Sequence, residues 1–485
     1  MLVGVDIGTQ SLKVAVTDLS LDLQGEAQRS YRPHFPAPGR AEQDPRLWES
    51  ALGPAIADAL ATAGLASGQV TALCICGQLD GCIPVGRQGE LRGPCITWMD
   101  RRASEELADI DKDHLHAVTG LVPDASHLAA KIRWLKRHDE DAILTARYHQ
   151  PVSYMVERLT GVAVIDHALA STSMLYDLRA HDYDASLLAS FGITAAELPA
   201  LAQSGDRAGR LTAQGSTLAG LPAGIPVAVG TGDDFSTPLG AGLIEPGQIS
   251  VAIGTGEVVG ALFADPIIDA ARLVETHVYP AGGYFVENPG WLSGGAVAWL
   301  KDLLRLEDFE AFDELAVTAP AGSDGLLFLP ALTGAMAPEW NEGARGCFYG
   351  MTPAHGAHHL ARSVFEGCGF AMRDVLMRLD ALGVRPSSLT LLAGGSRSRI
   401  WAQMRADIAA LPVILPRHAH SSVIGAAMLA GVASRTFTHI RQAASLISMP
   451  KDCLSPDLRA GAKLDQSYQR YRRLFASLKP LFQQP

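Results

Sequence analysis

Asp6-Ile7-Gly8-Thr9-Gln10-Ser11 places a carboxylate, a glycine and three hydrogen-bonding side chains in one short run. Val3 and Val5 before it, and Val14 and Val16 after it, alternate as two short strands would, so the run must turn the chain between them. Gly8 lets the backbone approach a ligand closely, and Thr9, Gln10 and Ser11 bring donors to it, which suits a phosphate. Asp6 at the strand end suits a hydrated Mg²⁺ on that phosphate. The pattern returns in Ile249 to Phe263, ISVAIGTGEVVGALF, where Ile253-Gly254-Thr255 echoes Ile7-Gly8-Thr9 and Ala252 stands in place of Asp6. Either copy alone reads as a glycine hairpin. Two copies with one carboxylate between them read as half-sites closing on one nucleotide.

A second carboxylate stands where a strand opens. Val227-Ala228-Val229 runs into Gly230-Thr231-Gly232-Asp233-Asp234, and the glycines clear space around Asp233. A carboxylate so placed takes a proton from an alcohol nucleophile, or caps the helix that follows. Val70 to Cys76 ends in Gly77-Gln78-Leu79-Asp80-Gly81, a ligand position or a plain turn. Trp98, beside Asp100, Arg101 and Arg102, is either a wall for a sugar to stack on or a capped helix start. Gly394-Gly395-Ser396 joins a strand to a helix and admits a flat or anionic ligand.

The elements that must position these residues follow from periodicity. A helix is expected from about Leu47, a mostly helical stretch from Ser104 to Leu144, and a helix opened by Leu292-Ser293-Gly294-Gly295. A long helix over 358–382 stops at Gly383, and a last one around 464–481 carries Leu464, Tyr468, Tyr471 and Phe475 on one packing face. The second copy of the turn begins beyond Gly242-Leu243-Ile244-Glu245-Pro246, which places a domain boundary near 245/246.

Composition sets the outer bounds. The 485 residues are 48% hydrophobic and 19% charged, as in a globular enzyme of two or more domains. A net charge of −11 without a basic block argues against nucleic acid or an anionic membrane as partner. Cys74, Cys76, Cys82 and Cys95 lie in apolar runs and read as buried thiols. The longest uncharged helical run, Ser421 to Ser434, is too short to span a bilayer. The first strand starts at residue 2, so no signal peptide is expected and the compartment expected is the cytoplasm. The signatures of Walker ATPases, Rossmann dehydrogenases, nucleophile-elbow hydrolases and zincins are missing.

The chain resembles the FGGY family of carbohydrate kinases over nearly its whole length. Asp6-Ile7-Gly8-Thr9 is similar to the family's first phosphate motif, Gly254-Thr255-Gly256 to its second, and Gly394-Gly395-Ser396 to its adenosine motif. Gly346 to Met351, His359-Leu360 and Ser363 to Glu366 are similar to the C-terminal signature. Lys131 to Leu135 resembles the N-terminal one, with Leu128 departing from it. Within the family, Glu42-Gln43-Asp44-Pro45, Gly77-Gln78 and Gly232-Asp233 are most similar to xylulokinases. Leu79-Asp80 replaces their Met-His, Asp234 replaces their Asn, and Trp98 to Arg102 is closer to glycerol kinases.

The resemblance implies duplicated ribonuclease-H-like, actin-like α/β domains flanking a cleft. Residues 1–245 would bind the sugar and carry the first phosphate loop, and residues 246–485 would bind nucleotide. It implies Asp233 as the base, with Leu79, Asp80, Trp98 and Asp234 also on the sugar. ATP is expected against Gly8, Thr9, Gln10, Ser11, Lys13, Gly254, Thr255, Gly294, Gly394, Gly395, Ser396 and Arg399, with Mg²⁺ at Asp6. The activity implied is phosphorylation of a sugar hydroxyl by ATP, D-xylulose to D-xylulose 5-phosphate first. D-ribulose and glycerol are the alternatives, and an actin-like ATPase or a silent sugar sensor the readings from other classes. A homodimer is left open.

Overall fold

The computed structural model describes residues 1–418, 420–447 and 450–482. Two mixed sheets, each with its own apolar core, form its frame. In the first, β1 (Leu2–Ile7), β2 (Ser11–Thr17) and β3 (Leu23–Ser30) form an antiparallel meander. β4 (Ala72–Gly77) runs parallel to β1, reached through helix α1 (Arg46–Ala63). β5 (Arg207–Arg210) pairs antiparallel with β6 (Pro226–Ala228), which is parallel to β4, and the short β7 (Thr231–Gly232) extends the β4 edge.

The second sheet repeats this plan. Its meander is β8 (Ile249–Ile253), β9 (Gly256–Phe263) and β11 (Tyr284–Leu292), with β10 (Glu275–Val278) added on the outer edge. β12 (Leu389–Leu392) is parallel to β8, β13 (Val413–Leu415) parallel to β12, and β14 (Asp452–Leu454) antiparallel to β13. The strand orders β3-β2-β1-β4-β6-β5 and β11-β9-β8-β12-β13-β14 match pair by pair in direction. The fold is α/β and duplicated, as the resemblance implied. β7 in the first sheet and β10 in the second have no counterpart among the described residues.

The long helix foreseen over 358–382 is Ala357–Ala381, and the terminal one is Leu458–Phe482, with Leu464, Tyr468, Tyr471 and Phe475 buried. The stretch from Ser104 to Leu144 departs from its expectation, breaking into two turns and two helices, Lys112–Thr119 and α2 (Leu128–His138). Gly120 closes the first helix in a left-handed conformation, and Pro123 follows.

Helices α3 (Asp233–Gly240) and α4 (Ser421–Ala433) occupy equivalent places, each following the last parallel strand of its sheet, and they cross at close range. A Cβ on Gly425 would stand 2.1 Å from the Ser236 carbonyl oxygen. α4 also lies flush on the first sheet, where a Cβ on Gly4 would meet the Val423 carbonyl oxygen at 1.9 Å. Its apolar residues occur all round the helix, as suits one enclosed on every side. Ala426 to Ala430 share a core with Leu2, Cys74, Cys76, Phe235 and Leu239. The four cysteines read as buried thiols are free and buried. Among the described residues no helix is long and apolar enough to cross a membrane.

Candidate active site

The ends of β1, β4 and β8 open into one cavity of about 600 Å³. Asp6, at the end of β1, is buried; its Oδ2 accepts the Ser422 hydroxyl at 2.7 Å and faces Lys13 Nζ at 3.5 Å. Lys13 is the direct cross-strand partner of Asp6 on β2, which fixes the pair. The carboxylate of Asp6 raises the Lys13 ammonium above its ordinary value, against burial. Asp6 Oδ1 has no hydrogen-bond partner among the described residues. Mg²⁺ is commonly held by one or two carboxylates together with substrate phosphates and its own waters. A buried, unpartnered carboxylate oxygen beside the Gly8–Ser11 turn fits that ion.

In the turn itself, Thr9 accepts the Trp98 indole N–H on its hydroxyl at 3.0 Å, and both residues line the cavity. Gln43 donates to the Thr9 carbonyl at 2.5 Å, and the Tyr31 hydroxyl to the Gly8 carbonyl at 2.8 Å. Gly254 and Gly394 also line the cavity, each with room for a Cβ, the nearest atoms being the Gly256 and Ile253 carbonyl oxygens at 3.9 and 3.7 Å.

Several residues assigned to ATP stand back from the cavity lining: Gly8, Gln10, Ser11, Thr255, Gly294, Gly395 and Ser396. Gly294 instead lets the helix Gly294–Leu303 abut the second turn, since a Cβ there would lie 2.0 Å from the Gly254 carbonyl oxygen. Ser396 donates to the Ala393 carbonyl at 2.7 Å. Arg399 is exposed and pairs with Asp452.

Asp233 is the first residue of α3, with Gly232 as the cap, so it does not cap the helix. It lies deep in the protein yet faces the cavity. Burial, then the charge of Asp6, push its carboxyl up to about 7, Lys13 opposing. Asp234 is raised well above the carboxylate range by burial, then by Glu287 and Asp233.

Asp80 sits at the mouth of β4 in a left-handed backbone conformation, φ 57°. Its Oδ1 accepts the Thr172 hydroxyl at 2.8 Å and its Oδ2 faces His127 Nδ1 at 3.1 Å. The Lys131 ammonium donates to its carbonyl at 2.6 Å, and its own N–H goes to Gln150 Oε1 at 2.9 Å. His127 continues to Glu275 Oε1 at 3.8 Å. Burial alone would lower the His127 imidazole; Asp80 and Glu275 overcome it and hold it well above the usual histidine value.

The structure therefore brings Asp6, Thr9, Lys13, Leu79, Asp80, Trp98, Asp233, Asp234, Gly254 and Gly394 to one cavity. It adds residues the sequence reading passed over: His127, Thr172, Glu275, His277, Glu287 and Ser422. The signal available for three of them was the run Val274-Glu275-Thr276-His277-Val278 followed by Phe285-Val286-Glu287, where charged positions interrupt apolar strands.

Two matching sheets with glycine turns and a strand-end carboxylate on one cleft define a duplicated α/β phosphotransferase. Residues 1–240 match the N-terminal domain of the FGGY family of carbohydrate kinases, and residues 249–434 its C-terminal domain. The chain belongs to that family and is an ATP-dependent carbohydrate kinase. It is 28% identical over 494 residues to a xylulose kinase of Escherichia coli, covering 99% of this chain and 100% of that one. It is 32% identical over 465 residues to a glycerol kinase of Aromatoleum aromaticum, covering 92% of each. A crystal structure of a xylulose kinase from Rhodospirillum rubrum superposes with a TM-score of 0.90 over the full length of both chains, at 28% identity.

Proposed function

We propose that this kinase transfers the γ-phosphoryl group of ATP to a terminal hydroxyl of a neutral ketose or polyol in the cytoplasm, D-xylulose to D-xylulose 5-phosphate being the first assignment. The observation that carries the reading is Asp233: a carboxylate at the cavity floor, raised by burial and by Asp6, is suited to take a hydroxyl proton near neutral pH. The acceptor oxygen attacks the γ-phosphorus as its proton passes to Asp233, the bond to the β-phosphate oxygen breaks, and ADP leaves. Asp6 would hold Mg²⁺ through its open oxygen. When bound, the ion neutralises charge on the β- and γ-phosphates.

In this reading residues 1–245 hold the sugar, through Leu79, Asp80, Trp98 and Asp234, together with the first phosphate turn. Residues 246–485 hold the nucleotide, through Gly254 and Gly394. The acid groups of Asp80, Asp233, Asp234, Glu275 and Glu287 in one cavity offer hydrogen-bond partners to the hydroxyls of a neutral acceptor, which favours it over an aldonate, whose carboxylate would add a further acid to a crowded set. Glycerol is the second reading, supported by the identity to the Aromatoleum enzyme and by Trp98.

Coupled ADP release over ketoses, polyols and aldonates tests this. A neutral ketose or polyol should stimulate release and aldonates should not. Release that no sugar stimulates would return the chain to an actin-like ATPase.

A further inference from the structure

Strands β10 and β11 break a rule of sheet packing. Glu275 and Glu287 are direct cross-strand partners, so two carboxylates stand opposite each other on one face, an arrangement that destabilises a sheet. Each is only 4% exposed. His277, two residues along β10, shares the face, and its Nε2 lies 3.3 Å from Glu287 Oε1.

The two glutamates differ in what they are tied to. Glu275 Oε1 accepts the Val122 N–H at 2.8 Å and faces His127. Glu287 Oε2 has no hydrogen-bond partner among the described residues, although Glu287 lines the cavity. Packing alone gives no reason for this, since apolar residues of similar size would serve a buried sheet face better. Glu287 is also the charge that bears most on Asp234, the neighbour of the proposed base. Asp6 Oδ1 is another buried carboxylate oxygen of the cavity without a hydrogen-bond partner among the described residues, and the proposed function gives it to Mg²⁺. Glu287 Oε2, whose companion oxygen faces His277, has lone pairs to give to an acceptor hydroxyl.

We infer that Glu287, oriented by His277, is a specificity-determining residue whose Oε2 accepts the O–H of an acceptor hydroxyl remote from the one phosphorylated. The inference rests on the sugar-kinase reading above. It names the acceptor more closely: a neutral polyhydroxylated molecule with an O–H at that position, where a keto oxygen, a methyl group or a carboxylate is refused. The acceptor is then gripped from both halves, by Asp80 and Asp234 of the first and Glu287 of the second.

The test measures kcat/KM for hydroxyl–deoxy pairs in the wild type, Glu287→Gln, Glu287→Ala and His277→Asn. The pairs are D-xylulose with 1-deoxy-D-xylulose, D-ribulose with 1-deoxy-D-ribulose, and glycerol with propane-1,2-diol. For the pair the wild type uses best, the hydroxylated member should lead by ~10- to 10²-fold, the worth of one hydrogen bond to a charged group. That ratio should fall to within about threefold in Glu287→Ala, shrink in Glu287→Gln and His277→Asn, and leave KM for ATP unchanged. A ratio retained in Glu287→Ala overturns the inference. So does an equal loss on both members with KM for ATP rising in step, which marks a structural role. A wild type that phosphorylates these acceptors without distinguishing the pairs overturns the inference and leaves the kinase reading standing. A wild type whose ADP release no acceptor stimulates overturns both.

Discussion

The two hairpins at the heart of the molecule share a strand plan and differ in where they put charge. On β1 and β2, the cross-strand pair one step back from the turn is Asp6 with Lys13, and both face the cavity. At the equivalent place on β8 and β9 stand Ala252 and Val258, also on the cavity and uncharged. The second hairpin carries its carboxylate one residue away, on the other face. There Glu257 meets Arg405 in a fork, Nη2 to Oε2 at 2.6 Å, with both side chains at most 1% exposed. One ion pair stays at a ligand surface with an oxygen to spare; the other is closed inside a core. The crossing helices repeat the contrast, α3 beginning with Asp233 and α4 with Ser421-Ser422. Duplication thus fixes where strand ends and helix starts meet the cleft, and single substitutions at equivalent positions decide which copy carries chemistry.

The comparison is broken most severely at Asp233. Asp233→Ala should lower kcat by ~10²–10⁴-fold with nucleotide affinity nearly kept, read by single-turnover phosphoryl transfer and ATP titration. An unchanged single-turnover rate would remove Asp233 from the mechanism. At the closed pair the expected loss is of stability instead. Arg405→Met strands the Glu257 charge and should cost about 3–5 kcal/mol in chemical denaturation, with kcat per folded molecule within twofold. A loss of activity at unchanged stability would make the two ion pairs alike.

Asp80→Ala should reduce kcat/KM for the best sugar by ~10- to 10³-fold, one or two hydrogen bonds to a charged group, while KM for ATP barely moves. Its carboxylate oxygens already serve Thr172 and His127, each with a lone pair to spare. An unchanged kcat/KM would leave Asp80 a turn residue.

The smallest effect concerns pH. A carboxyl raised to about 7 keeps its proton in the folded protein where the unfolded chain has released it. The folded state then binds more protons than the unfolded one between about pH 4 and 7, so this group's contribution to stability falls as pH rises through that window. Asp233→Asn should therefore melt higher than the wild type by a few degrees at pH 8, and by less at pH 5. In the wild type, kcat/KM should climb as pH rises toward about 7 and then level, because the base works ionised. A melting advantage that does not grow with pH would place the titration elsewhere.

Much of the frame was legible because it is local. The offset between Ile7-Gly8-Thr9 and Ile253-Gly254-Thr255 marks two hairpins, and each forms with the strands expected around it. The place of Asp233 on the cavity was legible as one of two readings, a strand-end acid cleared by glycines or a helix cap, and the structure puts Gly232 at the cap. The far wall was not. Glu275, His277 and Glu287 lie on strands whose short period-two runs look like ordinary sheet, and only the Glu275–Glu287 register shows that two acids face each other. β10 has no counterpart in the first sheet, so the repeat that revealed the turns gave no warning of it. The pairing of Arg399 with Asp452 was equally hidden, because the partner lies far along the chain.

The place of α4 bears on how the chain is made. The Cys76 thiol donates to the Ser422 carbonyl across a separation of 346 residues, and the face of the first sheet around Leu2, Cys74 and Cys76 is covered by Ala426 to Ala430. A ribosome adding ~5–20 residues per second reaches that helix roughly 20–70 s after completing β4. For that interval the first sheet waits with an apolar face uncovered. A fragment that ends before α4 should aggregate, and supplying the helix on a separate peptide should rescue it.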